Sequence, residues 1–322
     1  MVVIGSILLS SCDSYLDIQP VGQVIPTTLT EYRALLTTAY GLKLIDKSVT
    51  EFRTDIAMVT DNSNSQNFYS EIEKWNDMSP KDGTREFGWA VYYSVIYYAN
   101  AIIANKDNIK EDIDQLVGEA YLLRGYMHFI LANLYGQPYT KEGAPETKSI
   151  PIKWDLDLEV VLPRNTVKEV YTAILSDIES ARGLMHQKEW EAVYAYRFST
   201  LSVDAMESRV RLYMGNWKEA YDAAERILVQ KSTLEDLNDP EAKLPNNYTS
   251  AEMITAYEFF NDDVTSASIL IPAFMEKYDA NKDLRQKKYY SLSGDKYISK
   301  KSGKAEHNCT FRTGEIYLNA AE

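Results

Sequence analysis

Apolar residues recur at three- and four-residue steps through most of this chain, and that period commits it to packed helices. From about Ile113 to Tyr135, the residues Leu116, Ala120, Leu123, Met127, Ile130 and Leu134 stay in register. A 3.6-residue repeat places such positions on one helical face, which must be buried against a neighbour. Gly136 and Pro138 then stop the pattern, since glycine ends helices readily and proline cannot continue one. Trp89, Tyr92, Val95, Ile96, Ala99, Ile102 and Ile103 form a second stripe. Thr28-x-x-Glu31 and Thr166-x-x-Glu169 are capping boxes, in which side chains satisfy the first free amides of a helix. The first opens a face of Tyr32, Leu35, Leu36, Ala39 and Tyr40 and stops at Gly41. The second opens Val167, Val170, Tyr171, Ile174, Leu175 and Ile178 and stops at Gly183.

The clearest local motif is a helix pair. Val203, Met206, Val210 and Tyr213 make one face, Gly215-Asn216 a turn, and Trp217, Ala220, Ala224, Ile227 and Leu228 the next. Small residues at Ser208 and Ala220 let two helices approach, and the pair resembles a tetratricopeptide repeat. The predicted class is therefore mostly α, a tetratricopeptide-like scaffold with long irregular, loop-rich inserts. One insert is Asp55 to Gly83, where no period is sustained and long loops are predicted. Another is the proline-bearing stretch 143–163. Short strands are expected within 253–260 and 287–299. Phe311 to Glu322 is helical in pattern, with Ile316, Leu318 and Ala320 apolar. It shows no cap and no following partner. It is read as the end of an incomplete chain, exposed on one face or frayed.

The N-terminus carries a different signal. An apolar run from Val2 leads into Leu9-Ser10-Ser11-Cys12, the pattern of a bacterial lipoprotein signal. The run is too short to span a bilayer, which takes about 20 apolar residues, and reads as a processing segment. No Lys or Arg precedes Cys12. Residues 1–11 are thus assigned as signal, Cys12 as the lipidated residue, and 12–322 as one helical domain.

Charge and cysteine content exclude several functions. The formal net charge of −13 argues against nucleic-acid binding, which needs a basic face. With Cys12 acylated, only Cys309 remains, so a disulfide framework and a zinc site are both excluded. The three histidines, His128, His186 and His307, lack metal spacing. There is no phosphate loop, nucleophile elbow or HExxH. No catalytic residue, cofactor or metal is expected. Tyrosine is abundant, 24 residues against 9 Phe, which suits wet binding surfaces as well as packing between helices.

Six motifs in order resemble the SusD/RagB-like outer-membrane lipoproteins. Cys12 to Pro20 resembles the family's start, with a Leu16-Asp17-x-x-Pro20 element. Trp89 to Ala101 is similar to its first long helix, and Glu119-Ala120-x-x-Leu123-Arg124 running to Tyr135-Gly136 to its second. Pro163 to Ala181, Asp283-Leu284-Arg285 and Arg312 to Glu322 match later motifs. The resemblance implies surface exposure on the outer membrane, a lipid anchor, no catalysis, capture of oligosaccharides, and docking on a SusC-like TonB-dependent transporter. Family members are longer than this chain. The alternative reading is a tetratricopeptide-type adaptor for protein or peptide partners. A surface glycoside hydrolase has no positive signal.

Sugar rings stack C–H faces on Trp and Tyr, and their hydroxyls need amides or carboxylates. An unpaired polar group in such a site costs about 1–3 kcal/mol. Both ingredients occur in 61–76, where Asn62, Asn64, Tyr69, Trp75 and Asn76 are the candidate ligand residues. Trp75 reads equally as binding platform or packed core. Tyr257 leads a second candidate stretch through Phe259, Phe260, Asn261 and Asp262, where core packing outweighs ligand binding.

Overall fold

The computed structural model describes residues 26–42, 44–259, 262–301 and 309–322. The signal segment, Cys12, Phe260, Asn261 and His307 lie outside these residues. The chain runs α1 (Leu29–Tyr40), α2 (Asp46–Val49), β1 (Ala57–Val59), α3 (Ser63–Glu73), α4 (Ala90–Ala104), α5 (Asp114–Tyr135), α6 (Val167–Leu184), α7 (Thr200–Tyr213) and α8 (Trp217–Leu228). It continues through β2 (Met253–Thr255), α9 (Asp262–Ala267), β3 (Ser268–Leu270), α10 (Pro272–Met275), α11 (Leu284–Tyr289), β4 (Tyr290–Ser293), β5 (Lys296–Ser299), β6 (Phe311–Arg312) and α12 (Thr313–Ala321). Both capping boxes form, at Thr28 and at Thr166.

Helices α4 to α8 stack in sequence, each packed on the next or the next but one, as the repeat pattern predicts. Their apolar stripes join one core that includes Ile96, Leu123, Met127, Ile174, Ile178 and Met206. Glycine sets the closest approach, between α5 and α6. A Cβ on Gly118 would lie 2.4 Å from Met185 Cγ, and one on Gly125 would lie 3.1 Å from Asp177 Cβ. Arg124 crosses that contact. Its guanidinium donates to Asp177 at 2.6 and 3.0 Å and to Asn100 Oδ1 of α4 at 2.8 Å. The Asn100 amide donates in turn to the carbonyls of Lys153 and Asp155, which ties the irregular 143–163 segment to the stack. Trp154 lies over the Arg124 guanidinium at 4.3 Å and turns an edge to His128. His128 is fully buried, and among the described residues neither ring nitrogen has a hydrogen-bond partner. Burial, with Arg124 adding to it, pushes its pKa down to about 3.

The α7–α8 pair closes as a repeat. Ala220 and Ser208 are fully buried, and Ser208 Oγ donates to the Ala220 carbonyl at 3.0 Å. Gly215 takes φ 74° in the turn. Two members of the predicted faces differ: Tyr213 and Trp217 flank the turn and stay about half exposed, because a face at the end of a helix has no further turn to pack on.

The last helix keeps the expected exposed face but departs from expectation in having partners. α12 is not without a partner; it packs on α8 and α7. Ile316 is fully buried, Asn319 donates to Ser208 Oγ at 3.2 Å, and Arg209 pairs with Glu315 at 2.6 Å. Leu318, by contrast, is 70% exposed. Positions two apart on a helix point about 200° apart, so Ile316 and Leu318 never formed one stripe.

The region 55–83 also differs from the predicted loops. Asn62 caps α3, its Oδ1 accepting from the amides of Asn64 and Ser65. Tyr69 and Ile72, three apart, turn inward against Val49, Phe52, Val59, Val264 and Ala267. That pair is too short a stripe to register as a period, and two of the partners that stabilise it, Val264 and Ala267, lie about 200 residues away. β1 and β3 pair antiparallel, Ala57 opposite Leu270, and bring the two segments together. Strands occur where expected in the C-terminal part. β2 pairs with β6, and β4 with β5 forms a hairpin turning at Gly294.

Candidate functional site

A cleft of about 640 Å³ opens where the N-terminal half of α3 faces residues 83–85 and 266–267. Local bonds set its walls. Gln66 Nε2 donates to the Thr60 carbonyl at 2.9 Å, which pins the helix to the end of β1. The Thr60 amide donates to the Ala267 carbonyl at 2.8 Å, and the Arg85 amide to the Phe68 carbonyl at 3.0 Å. Gly83 has φ 89°, and a Cβ there would meet Asn67 Nδ2 at 2.6 Å. Only glycine supplies both the left-handed backbone and that clearance.

The lining mixes ring and amide. It comprises Asn62, Asn64, Ser65, Phe68, Tyr69, Gly83, Arg85, Ser266 and Ala267. Phe68 is 46% exposed and offers an apolar face. The Asn64 side-chain amide makes no hydrogen bond among the described residues, whereas the Asn62 oxygen is spent on the helix cap. A sugar ring with one C–H face and several hydroxyls matches this set of groups.

The sequence-predicted residues separate into three places. Asn62, Asn64 and Tyr69 line the cleft. Tyr69 does so only as part of the wall: it is 4% exposed and its ring packs on Phe52 at 5.0 Å. It is therefore a structural residue, held by the small core under α3, and not a free platform. Trp75 and Asn76 lie past the other end of the same helix, about 16 Å along its axis from the cap. Trp75 takes φ 56° and is 62% exposed, which excludes core packing. The Arg53 guanidinium lies over its ring at 4.6 Å and is also ion-paired with Asp77. The Asn76 amide donates to Glu71 at 2.6 Å and to the Ser79 carbonyl at 3.0 Å, so its donors shape the turn.

Tyr257 takes the core position that the competing reading of its stretch gave it, and not a place at a ligand surface. It is 5% exposed and packs edge-on against Tyr40, Tyr126 and Phe198 in the main core. Burial pushes its hydroxyl well above the usual range. The segment after β2 enters the helix stack, with the Ala256 amide donating to the Ala195 carbonyl and the Tyr257 and Glu258 amides to Thr310 Oγ1. Tyr257 is thus a core residue and presents no face to a ligand.

Sequence reasoning saw Phe68 among the rings of 61–76 without naming it a ligand residue, and passed over Arg85 altogether. It also missed a second, smaller cleft of about 230 Å³ bordered by Trp190, Arg197 and Tyr248. There Arg197 lies over Tyr194 at 4.1 Å and Trp190 at 5.1 Å. The run Trp190-x-x-x-Tyr194-x-Tyr196-Arg197 was the available signal. Cys309 is half-buried, and desolvation pushes its thiol up to about 12, which leaves it a poor nucleophile. Among the described residues no cluster of His, Cys, Asp and Glu could hold a metal, and no helix is long and apolar enough to cross a membrane.

The fold and the cleft define a helical-repeat body that carries an open surface site of amides and one exposed ring. The chain is a member of the SusD-like family: residues 14–212 match the family described as starch-binding and associating with the outer membrane. A SusD-like protein of Formosa agariphila is 26% identical over 240 residues, covering 71% of this chain and 44% of the relative. The chain thus spans less than half the length of that relative. Among solved structures, a SusD superfamily protein of Bacteroides thetaiotaomicron matches with a TM-score of 0.77 at 20% identity, over 91% of this chain and 75% of that one. A sugar-binding protein of Bacteroides vulgatus, so described putatively, gives 0.74 at 22% identity over 93% and 74%. A laminarin-binding SusD-like protein gives 0.69 at 14% identity over 91% and 79%. At such identities these structures establish the shared helical fold.

Proposed function

We propose that this protein captures oligosaccharides at the cell surface and delivers them to a SusC-like TonB-dependent transporter in the outer membrane, anchored through a lipid on Cys12. The observation that carries the reading is the cleft at the N-terminal end of α3, where exposed Phe68 stands beside Asn64 and Ser266. Family membership supports glycan binding, and the laminarin-binding neighbour shows the same fold in that role. The protein binds without cleaving. Trp75 serves as a further stacking contact past the C-terminal end of the helix, its open face available to a longer chain.

Calorimetry with laminarihexaose and maltohexaose tests the site. Phe68→Ala should weaken binding by roughly 1–3 kcal/mol in a protein that melts as wild type does, and Trp75→Ala by less. Unchanged affinity in both variants would move the site away from α3, towards the Trp190 cleft. New reducing ends in the bound glycan would restore the enzyme reading. The anchor has its own test. Cys12→Ala should leave the membrane fraction, because one acyl chain already contributes about 0.8 kcal/mol per buried CH₂. Retention of that variant would remove the lipid from the account.

A further inference from the structure

The charged lining of the α3 cleft is a single residue, Arg85. In a chain with net charge −13, a cleft wall that among the described residues holds one cation and no carboxylate is set apart from the rest of the surface. Among the described residues no acid pairs with this guanidinium, although most arginines of the fold are paired with Asp or Glu. Its acidic chain neighbours, Asp82 and Glu86, do not line the cleft. Asp61, next to the cap residue, already has Lys296 at 3.3 Å. The Arg85 Nε is buried away from the surface, so a ligand meets the terminal nitrogens of the guanidinium.

The helix end is not the source of positive potential here. The amides of Asn64 and Ser65 are already taken by Asn62 Oδ1. What remains is a planar guanidinium beside an exposed phenyl ring, with amide and hydroxyl groups around them. Guanidinium recognises carboxylate and sulfate through paired, parallel hydrogen bonds, while an aromatic face takes the C–H side of a sugar.

We propose that the cleft selects acidic saccharides, with a uronate carboxylate or a sulfate ester set against Arg85 and the adjoining sugar ring on Phe68. This rests on the saccharide reading of the cleft and narrows it to a ligand class. Asn64 and Ser266 then meet neutral hydroxyls, and the anion pairs with the terminal nitrogens of Arg85.

Calorimetry on the full chain with three probes tests this: an oligogalacturonate for the carboxylate, a carrageenan oligosaccharide for the sulfate ester, and laminarihexaose as neutral reference. One of the two acidic probes should bind at least about tenfold more tightly than the neutral one, and which one does identifies the anion. Arg85→Gln keeps the main-chain bond to Phe68 and should lower the acidic-to-neutral affinity ratio by about tenfold or more. Arg85→Lys should restore part of that ratio, since it returns the charge without the fork. A ratio near one in the wild type, or a ratio untouched by Arg85→Gln, would overturn the acidic class and leave glycan capture standing. Failure of all three probes to bind would overturn both.

Discussion

The helix stack from α4 to α8 and the lobe around α3 are built on different terms. The stack buries continuous stripes, closes its tightest contact with glycines, and locks three helices through Arg124, Asp177 and Asn100. The lobe rests on a small core around Phe52, Tyr69 and Ile72, a two-stranded pairing and a single asparagine cap. The stack therefore has redundant support, while each support of the lobe is used once. The cleft sits on the lobe. A binding surface must leave polar groups and rings uncovered, and a fully packed stack has none to spare.

The sharpest way to break this comparison is inside the stack. Asp177→Ala would strand a buried guanidinium, and such a loss costs about 3–5 kcal/mol. Urea unfolding should show that cost in the global transition. A loss under 1 kcal/mol would mean that the triad does not lock the stack.

His128 gives the stack an acid weakness. Its folded pKa is lowered to about 3 by burial, whereas the unfolded chain protonates near the ordinary value of about 6.5. The stabilising contribution is whole above the unfolded value and is lost as pH falls from there towards 3, at up to about 1.4 kcal/mol per pH unit. His128→Phe should therefore gain roughly 2–3 kcal/mol on wild type between pH 7.5 and 4.5. A gap between the two proteins that stays constant with pH would show that the imidazole titrates freely in the fold.

Overpacking the α7–α8 contact comes next. Ala220→Leu should cost roughly 1–3 kcal/mol by thermal melting, and a wild-type melt would remove the repeat description there. The smallest effect belongs to the lobe. Asn62→Ala should cost about 1 kcal/mol, read as faster amide exchange at Asn64 and Ser65 with the stack unaffected. If exchange in α5 rises equally, the two regions are one cooperative unit and the contrast fails.

The contrast also explains what could be read in advance. Residues 116, 120, 123, 127, 130 and 134 announce a buried helix without any knowledge of its partner, and the capping boxes at Thr28 and Thr166 mark their own helices. The candidate residues of 61–76 were found by composition, as amides beside rings, and three of them do meet at the cleft. Composition could not say that Tyr69 turns inward and Phe68 outward. Nor could it say that Tyr257 enters the main core. Arg85 carried no signal, because an arginine is marked only by the partners it has or lacks.

Local sequence alone therefore determined the helical class, the order of the stacked helices, the turn at Gly215 and the family motifs, since each depends on residues within a few turns of one another. Tertiary structure alone decided that 63–73 is a helix, that α12 finds a seat on α8 and α7, and that Gly83, Phe68, Arg85 and Ser266 share one cleft. The physical reason is separation along the chain. The core under α3 joins Val49 to Ala267, and a contact across some 200 residues leaves no period in the sequence at either end.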